Sequence, residues 1–298
     1  MQKVNNAVLA SLEICGWSAN KRDETASREV AQNHGLKDEK MARVWKSLLP
    51  RNDKLEAVLR IERRAREFHY DNTLPWKHKG PRILPTANYL SYTEGVREAR
   101  AGLEKAVSEF LSQFATLKCE ARLLLGSMYE DADYPSESKL GQSFVINLSI
   151  DPLPVSESML QLGMAPDEIE RLKAQHEEEM AETFRRANED LWSRLYEAIR
   201  SFHAQVIDPA RSVRDTTFEN LRKLLPILER LNVTGDERLE RMRARMEKAL
   251  HGVTTQALKE DLAARLRTAR EADAVFDAMS AFMGMPSEGP QLEVRHAA

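Results

Sequence analysis

From Ile169 to Val206 an apolar residue recurs at every third or fourth position: Ile169, Leu172, Met180, Phe184, Ala187, Leu191, Leu195, Ile199, Phe202 and Val206, with His176 bridging one gap. The stripe advances 37 residues in ten steps, a mean of 3.7, closer to the period of a straight α-helix than to the roughly 3.5 of a heptad seam. Pro166 suits a first helical turn, Asp167 and Glu168 complement the helix dipole, and Asp208-Pro209 ends the pattern. Such a helix would be roughly 60 Å long at ~1.5 Å per residue, and its stripe needs cover along that length. Either the 93–129 helix and the later helices of the same chain pack onto it as an antiparallel bundle, or a second copy lies alongside as a coiled coil. Helices over 214–231, 236–251 and 254–283, joined by short turns at 232–236 and 251–254, favour the first arrangement.

Upstream, helical periodicity predicts a short helix over 3–14 (Val4, Val8, Leu9, Leu12), a break at Gly16-Trp17-Ser18, and a second helix from Lys21 to His34 stopped by Gly35. Residues 38–49 place Met41, Val44, Trp45, Leu48 and Leu49 at helical spacing before Pro50. Asn52 or Asp53 can cap a further helix with a buried stripe of Leu55, Val58, Leu59 and Phe68. A long helix is expected from Tyr89 or Thr93 to Tyr129, burying Val96, Leu103, Val107, Phe110, Phe114, Leu117, Leu124 and Met128. The interval 130–166 reads as non-helical. It holds one convincing strand, 143–150, in which Phe144, Ile146, Leu148 and Ile150 alternate with period two. A lone strand cannot satisfy its own edges, so it calls for a partner around Arg82–Leu84 or from a second molecule. The tail after Pro286 reads as disordered.

Between these helices lies the most distinctive stretch, 68–92. Pro75, Gly80, Pro81 and Pro85 forbid a helix interior there. Tyr70, Trp76, Ile83, Leu84, Tyr89 and Tyr92 nevertheless give it enough apolar surface to dock against something. Trp76, Ile83, Leu84 and Tyr89 are therefore the expected partner-binding residues. Lys77, Lys79 and Arg82 sit among the same aromatic residues and have no acidic neighbour at i,i+4. Phosphates on these cations, with bases stacked on Trp76 and Tyr89, make single-stranded nucleic acid the alternative ligand. On the preceding helix, Glu56–Arg60, Glu62–Arg66 and Arg63–Glu67 neutralise much of the arginine charge.

Charge is uneven. Residues 1–90 hold 17 Lys+Arg against 11 Asp+Glu, and the remainder 27 against 36, so a net +6 precedes a net −9. That asymmetry hints at an anionic partner for the first part, short of the strongly basic character of a dedicated nucleic-acid domain. No run approaches the ~18 apolar residues of a membrane span, and the N-terminal apolar stretch is too short for a secretory signal. Cys15 and Cys119 stand far apart without redox or metal spacing, and are expected as buried thiols in a reducing cytoplasm.

Motifs for chemistry are missing. The twelve glycines are scattered, without a phosphate-cradling run. His176-Glu177-Glu178-Glu179 lacks a second histidine one turn away, and reads as a solvated acidic face. His69, Asp71 and His78 lack further ligands at metal spacing. Glu130-Asp131-Ala132-Asp133 has three carboxylates within four residues, the only sequence basis for a metal-dependent enzyme, but Asp-rich turns after helices are common for conformational reasons.

The order Thr73-Leu74-Pro75-Trp76, Gly80-Pro81-Arg82-Ile83-Leu84-Pro85, Phe110, Leu125-Gly126, Asp133-Tyr134-Pro135, Phe144 and Pro152/Pro154 resembles a family of phage and conjugative-plasmid proteins known only as a domain of unknown function. The resemblance covers about residues 40–250 and is most specific from Leu-Pro-Trp to Ile-Leu-Pro. It implies a mobile-element origin, a mostly helical fold without an assigned catalytic residue, and genes for a cobaltochelatase-like AAA+ ATPase and recombination nearby.

The resulting expectation is a mainly α protein: an elongated antiparallel helical bundle with one long helix and a small β element between helices. Residues 1–50 form short N-terminal helices, 51–165 the helices with the Pro-rich crossing and β element, 166–285 the long-helix bundle, and 286–298 the tail. The function expected is a non-enzymatic adaptor or assembly protein in a bacterial host's cytoplasm, without cofactor or catalytic or metal residues, working with a protein partner such as an AAA+ ATPase and able to form homo-oligomers. The alternative is a nucleic-acid-binding accessory factor in replication, recombination or counter-defence.

Overall fold

The computed structural model of the chain describes residues 6–76, 80–154, 165–208 and 211–283. It is mainly α-helical, with nine α-helices and a small antiparallel β component among these residues. The N-terminal fifty residues differ most from expectation. Residues 3–14 were predicted helical, but strand β1 runs Ala7–Cys15. Short apolar runs fit either period, and here pairing along a neighbouring strand decides. Strand β2 (Asn20–Asp23) leads into helix α1 (Glu24–Asn33), where Asp23 accepts from the Ala26 N–H at 2.8 Å and Gly35 takes a left-handed φ of 60° after the last turn. The helix expected over 38–49 is a 3₁₀ turn at Glu39–Met41 followed by strand β3 (Val44–Ser47), which pairs with β2.

Helix α2 (Asp53–Asp71) starts where Asn52 accepts from the Lys54 and Leu55 N–H groups, both at 2.9 Å. The Pro-rich crossing contains two short strands, β4 (Leu74–Pro75) and β5 (Arg82–Pro85), before helix α3 (Thr86–Leu125). Helix α4 (Glu137–Ser143) occupies part of the interval read as non-helical, and Ser136 caps it. Strand β6 (Val145–Pro152) keeps the expected alternation: Phe144 and Ile146 are buried, Leu148 and Ile150 half-buried, and Val145, Asn147 and Ser149 exposed. Strand order is β4-β5-β1-β6, so β5 is a strand as expected, but β1 is the neighbour of β6.

Helix α5 spans Pro166–Val206, followed by α6 (Asp215–Leu231), α7 (Glu237–Leu250), α8 (Thr255–Glu260) and α9 (Leu262–Met283). The single helix expected over 254–283 is two, because Asp261 turns to accept from the Ala263 and Ala264 N–H groups at 2.8 and 3.0 Å and starts a new helix. Both long helices that the periodicity predicts are present: α3 has 40 residues and α5 has 41. The tail after Pro286 lies outside the described residues.

The chain divides into two compact units. The first comprises Met1–Ser11, Tyr70–Leu90 and Ile150–Ala298. In it, Ala7 to Ala10 pair with Pro85 to Arg82, and Leu74 pairs with Ile83. Helix α5 packs on α6 and α9, and α7 packs on both of those. Leu191, Leu195, Ile199 and Phe202 of α5 are buried against Phe218 and Leu225 of α6 and Val275 and Met279 of α9; each such side chain contributes roughly 2 kcal/mol of transfer free energy. The exposed carbonyls at the α5 C-terminus are closed by the buried Arg265, which donates to the carbonyls of Gln205, Val206, Asp208 and Arg211 at 2.6–3.0 Å.

The second unit comprises Leu12–His69 and Ser91–Ser149. Its core includes an aromatic cluster in which Trp17 meets Phe114 at 6.0 Å, Phe114 meets Phe110 at 5.9 Å, and Phe110 meets Phe144 at 6.1 Å. Gly95 on α3 lets α2 come close: a Cβ there would lie 2.2 Å from the Phe68 ring, which stacks on Tyr92.

Candidate functional site

The crossing is docked, but on the chain's own helices. Trp76 is 8 % exposed, and Ile83 and Leu84 are fully buried; Trp76 and Ile83 belong to the same core as Leu191 and Leu195 of α5. The expected partner-binding surface at Trp76, Ile83 and Leu84 is thus interior, because the apolar surface that suggested docking is satisfied within the first unit. Tyr89 alone of that set reaches solvent. Arg194 of α5 donates to the carbonyls of Asp71 and Thr73 at 3.0 and 2.9 Å, closing the C-terminal end of α2 with positive charge. Arg230 of α6 donates to Asn88 Oδ1 at 2.8 Å, while Asn88 Nδ2 donates to the Asn72 carbonyl.

Arg82, expected to meet phosphate, donates to Thr73 Oγ1 at 2.7 Å and the Thr73 carbonyl at 3.1 Å, and lies 4.7 Å from the centre of the Tyr70 ring. Lys77, His78 and Lys79 lie outside the described residues. The nucleic-acid alternative as placed on the crossing therefore has its arginine engaged and its tryptophan buried.

The acidic turn is held by lysines. Asp133 is buried, ion-paired with Lys46 at 2.8 Å and with Lys21. Burial pushes its carboxyl up, but the two ammonium groups outweigh that and hold it below the usual value. Asp131 pairs instead with Lys118 at 2.9 Å and accepts from the Tyr129 hydroxyl at 3.0 Å, which lowers it too. The two carboxylates serve as counter-ions of different lysines. His69 is buried and hydrogen-bonded through Nδ1 to the Tyr92 hydroxyl at 2.7 Å. Among the described residues no group of three His, Cys, Asp or Glu side chains is placed to hold a metal ion. Cys15 and Cys119, expected buried, are both exposed.

What the sequence reading missed lies on the β2–β3 ribbon. Antiparallel pairing puts Lys21 opposite Lys46, Arg22 opposite Trp45, and Asp23 opposite Val44. Alternation sends Lys21 and Lys46 to one face, where both meet Asp133, and Arg22 and Trp45 to the other. Lys46 also donates to the Met128 carbonyl at 2.7 Å, so the inner face is pinned. On the outer face Trp45 is 63 % exposed, and Met41 just before the strand is 78 % exposed. Reading 38–49 as a helix assigned both to a buried stripe. The alternation of buried Ala42, Lys46 and Leu48 with exposed Arg43, Trp45 and Ser47 was the signal available.

A second apolar surface ends α3. Leu124 and Met128 were expected inside, yet Leu123 and Leu124 are 84 % and 72 % exposed and Met128 is also exposed. The helix stops at Leu125, and a 3₁₀ turn begins at Gly126, whose φ is 53°.

Comparison of the chain with protein-family models, with curated proteins and with solved structures gives no match. Among the described residues no helix is long and apolar enough to cross a membrane.

Proposed function

We propose that this chain is a non-enzymatic adaptor or assembly protein of a phage or other mobile element, and that it binds a protein partner through the end of α3. The observation that carries this reading is the pair of adjacent leucines, Leu123 and Leu124, that expose 84 % and 72 % of their surface beside exposed Met128. Neighbouring large apolar side chains left in water favour an interface that covers them. The side chains with catalytic or ligating potential support it too: Asp133, Asp131 and His69 are committed to partners within the fold. In this reading α5 to α9 form an antiparallel bundle.

The resemblance of the 73–85 segment to mobile-element proteins makes a cobaltochelatase-like AAA+ ATPase of the same element the partner to test. Co-expression followed by size-exclusion chromatography should show one co-eluting complex. Replacing Leu123 and Leu124 together by serine should separate the two proteins while leaving helicity unchanged. Co-elution that survives this double substitution overturns the assignment of the surface.

A further inference from the structure

The outer face of the β2–β3 ribbon is chemically unlike the end of α3. Its centre is the Trp45 indole, 63 % exposed on a strand whose next residue, Lys46, is 6 % exposed and anchored on Asp133. Arg22 stands directly across the ladder from Trp45. Its Nε is shielded from water and has no hydrogen-bond partner among the described residues. Arg43, exposed two residues before Trp45, continues the same alternation. The outward positions Asn20, Arg22, Arg43, Trp45 and Ser47 include no carboxylate. Asp23, the nearest acidic residue in the ladder, is turned to the opposite face, 3.6 Å from Lys46. The preceding 37–40 segment is neutral, Lys37 and Lys40 balancing Asp38 and Glu39.

We infer that this face binds single-stranded nucleic acid, with one unpaired base stacked on Trp45 and the flanking phosphates on Arg22 and Arg43. An exposed indole offers a flat π-surface to any base, and guanidinium groups on either side suit the anionic backbone. Duplex bases are already stacked and cannot reach the ring. The pinned inner face keeps the ribbon rigid, so the aromatic platform does not have to be ordered on binding. The residues of this face, Arg22, Arg43 and Trp45, are different from Leu123 and Leu124.

The test is fluorescence anisotropy of a labelled oligothymidylate titrated with the full chain at several salt concentrations, with tryptophan emission followed in parallel. Trp45 is exposed whereas Trp76 and Trp192 are buried, so binding should quench the emission. Trp45→Ala should weaken binding about tenfold or more, and Trp45→Phe should recover most of it. Arg22→Ala with Arg43→Ala should flatten the logarithmic salt dependence by about 0.7 per lost phosphate contact. Circular dichroism of each variant should match the wild type, Arg43 and Trp45 being exposed and Arg22 half-buried at the ribbon surface. No oligothymidylate binding at low salt, or equal binding by Trp45→Ala, overturns the inference. If Trp45→Ala instead abolishes co-elution with the ATPase and leaves oligothymidylate affinity unchanged, the face is a protein interface and the inference also fails.

Discussion

The Lys46 ammonium lies 2.8 Å from the Asp133 carboxylate, with both side chains almost out of solvent. This pair ties the 3₁₀ turn Asp131–Asp133 to the β2–β3 ribbon. Removing Asp133 leaves the buried Lys46 ammonium with only the Met128 carbonyl and the more distant Asp23 carboxylate at 3.6 Å, so Asp133→Ala should cost about 3 kcal/mol in chemical denaturation at neutral pH.

The same pair sets an acid limit. Asp133 has a lowered folded-state pKa despite the opposing effect of burial. Its stabilising contribution is full above the ordinary carboxyl value of about 4 and is lost as pH falls through the lowered value. Wild-type stability should therefore fall on acidification in that window. Asp133→Asn should be less stable at neutral pH and show a shallower acid slope, both measurable by urea denaturation across pH.

Glu62 presents the opposite sign. It is buried, its Oε1 has no hydrogen-bond partner among the described residues, and Arg66 on the same helix is 3.8 Å away. Burial pushes its carboxyl up, with Arg66 only partly offsetting this. Its contribution is thus full below the ordinary glutamate value and is lost as pH rises through the raised one. Glu62→Gln should stabilise the protein at pH 7 by about 1 kcal/mol, since an amide is less costly to bury than a carboxylate whose cation, Arg66, stands at 3.8 Å. A fall in Tm would contradict this.

Two helix positions separate intrinsic propensity from packing. Glycine to alanine inside a helix normally stabilises by about 1 kcal/mol. At Gly95 the new Cβ would sit 2.2 Å from the Phe68 ring. The ring is held against Tyr92 at a centroid distance of 5.8 Å. Gly95→Ala should therefore destabilise by about 1–3 kcal/mol through overpacking. At Gly102 the nearest such atom, on Ile61, is 3.9 Å away, so Gly102→Ala should follow propensity and stabilise. Thermal unfolding of the two variants checks the contrast.

Arg265 offers a test on the first unit. Arg265→Ala would leave the carbonyls of Gln205, Val206, Asp208 and Arg211 without this donor, at a cost of about 3 kcal/mol. Arg265→Lys should recover only part, because one ammonium cannot reproduce a planar fork of donors.

The parts legible in the sequence were those with long, consistent periodicity. The α5 helix and its Pro166 start are as expected, with the stripe buried from Ala187 to Val206 and only half-buried at Ile169, Leu172, Met180 and Phe184, and the alternation at Phe144 and Ile146 marks β6. Short segments were misread because their pattern does not distinguish helix from strand. Ala7–Cys15 becomes a strand through pairing with Arg82–Pro85, a partner some seventy residues away in sequence. Val44–Ser47 becomes one through its ladder with Asn20–Asp23. The apolar side chains of the crossing are legible in the sequence, but composition cannot say which surface a tryptophan meets. Trp76 went inside and Trp45 outside. Arg194, Arg230 and Asn88, which fasten the crossing, carry no local sequence signal because their partners are set by tertiary packing.

The central claim is that recognition lies on the exposed end of α3 rather than on the buried crossing. Hydrogen–deuterium exchange of the chain alone and mixed with the AAA+ ATPase proposed as its partner separates the two surfaces. The account predicts that protection on binding centres on residues 119–129, with 73–76 and 82–85 unchanged from an already protected state. Protection confined to the crossing, with 119–129 unaffected, would contradict it.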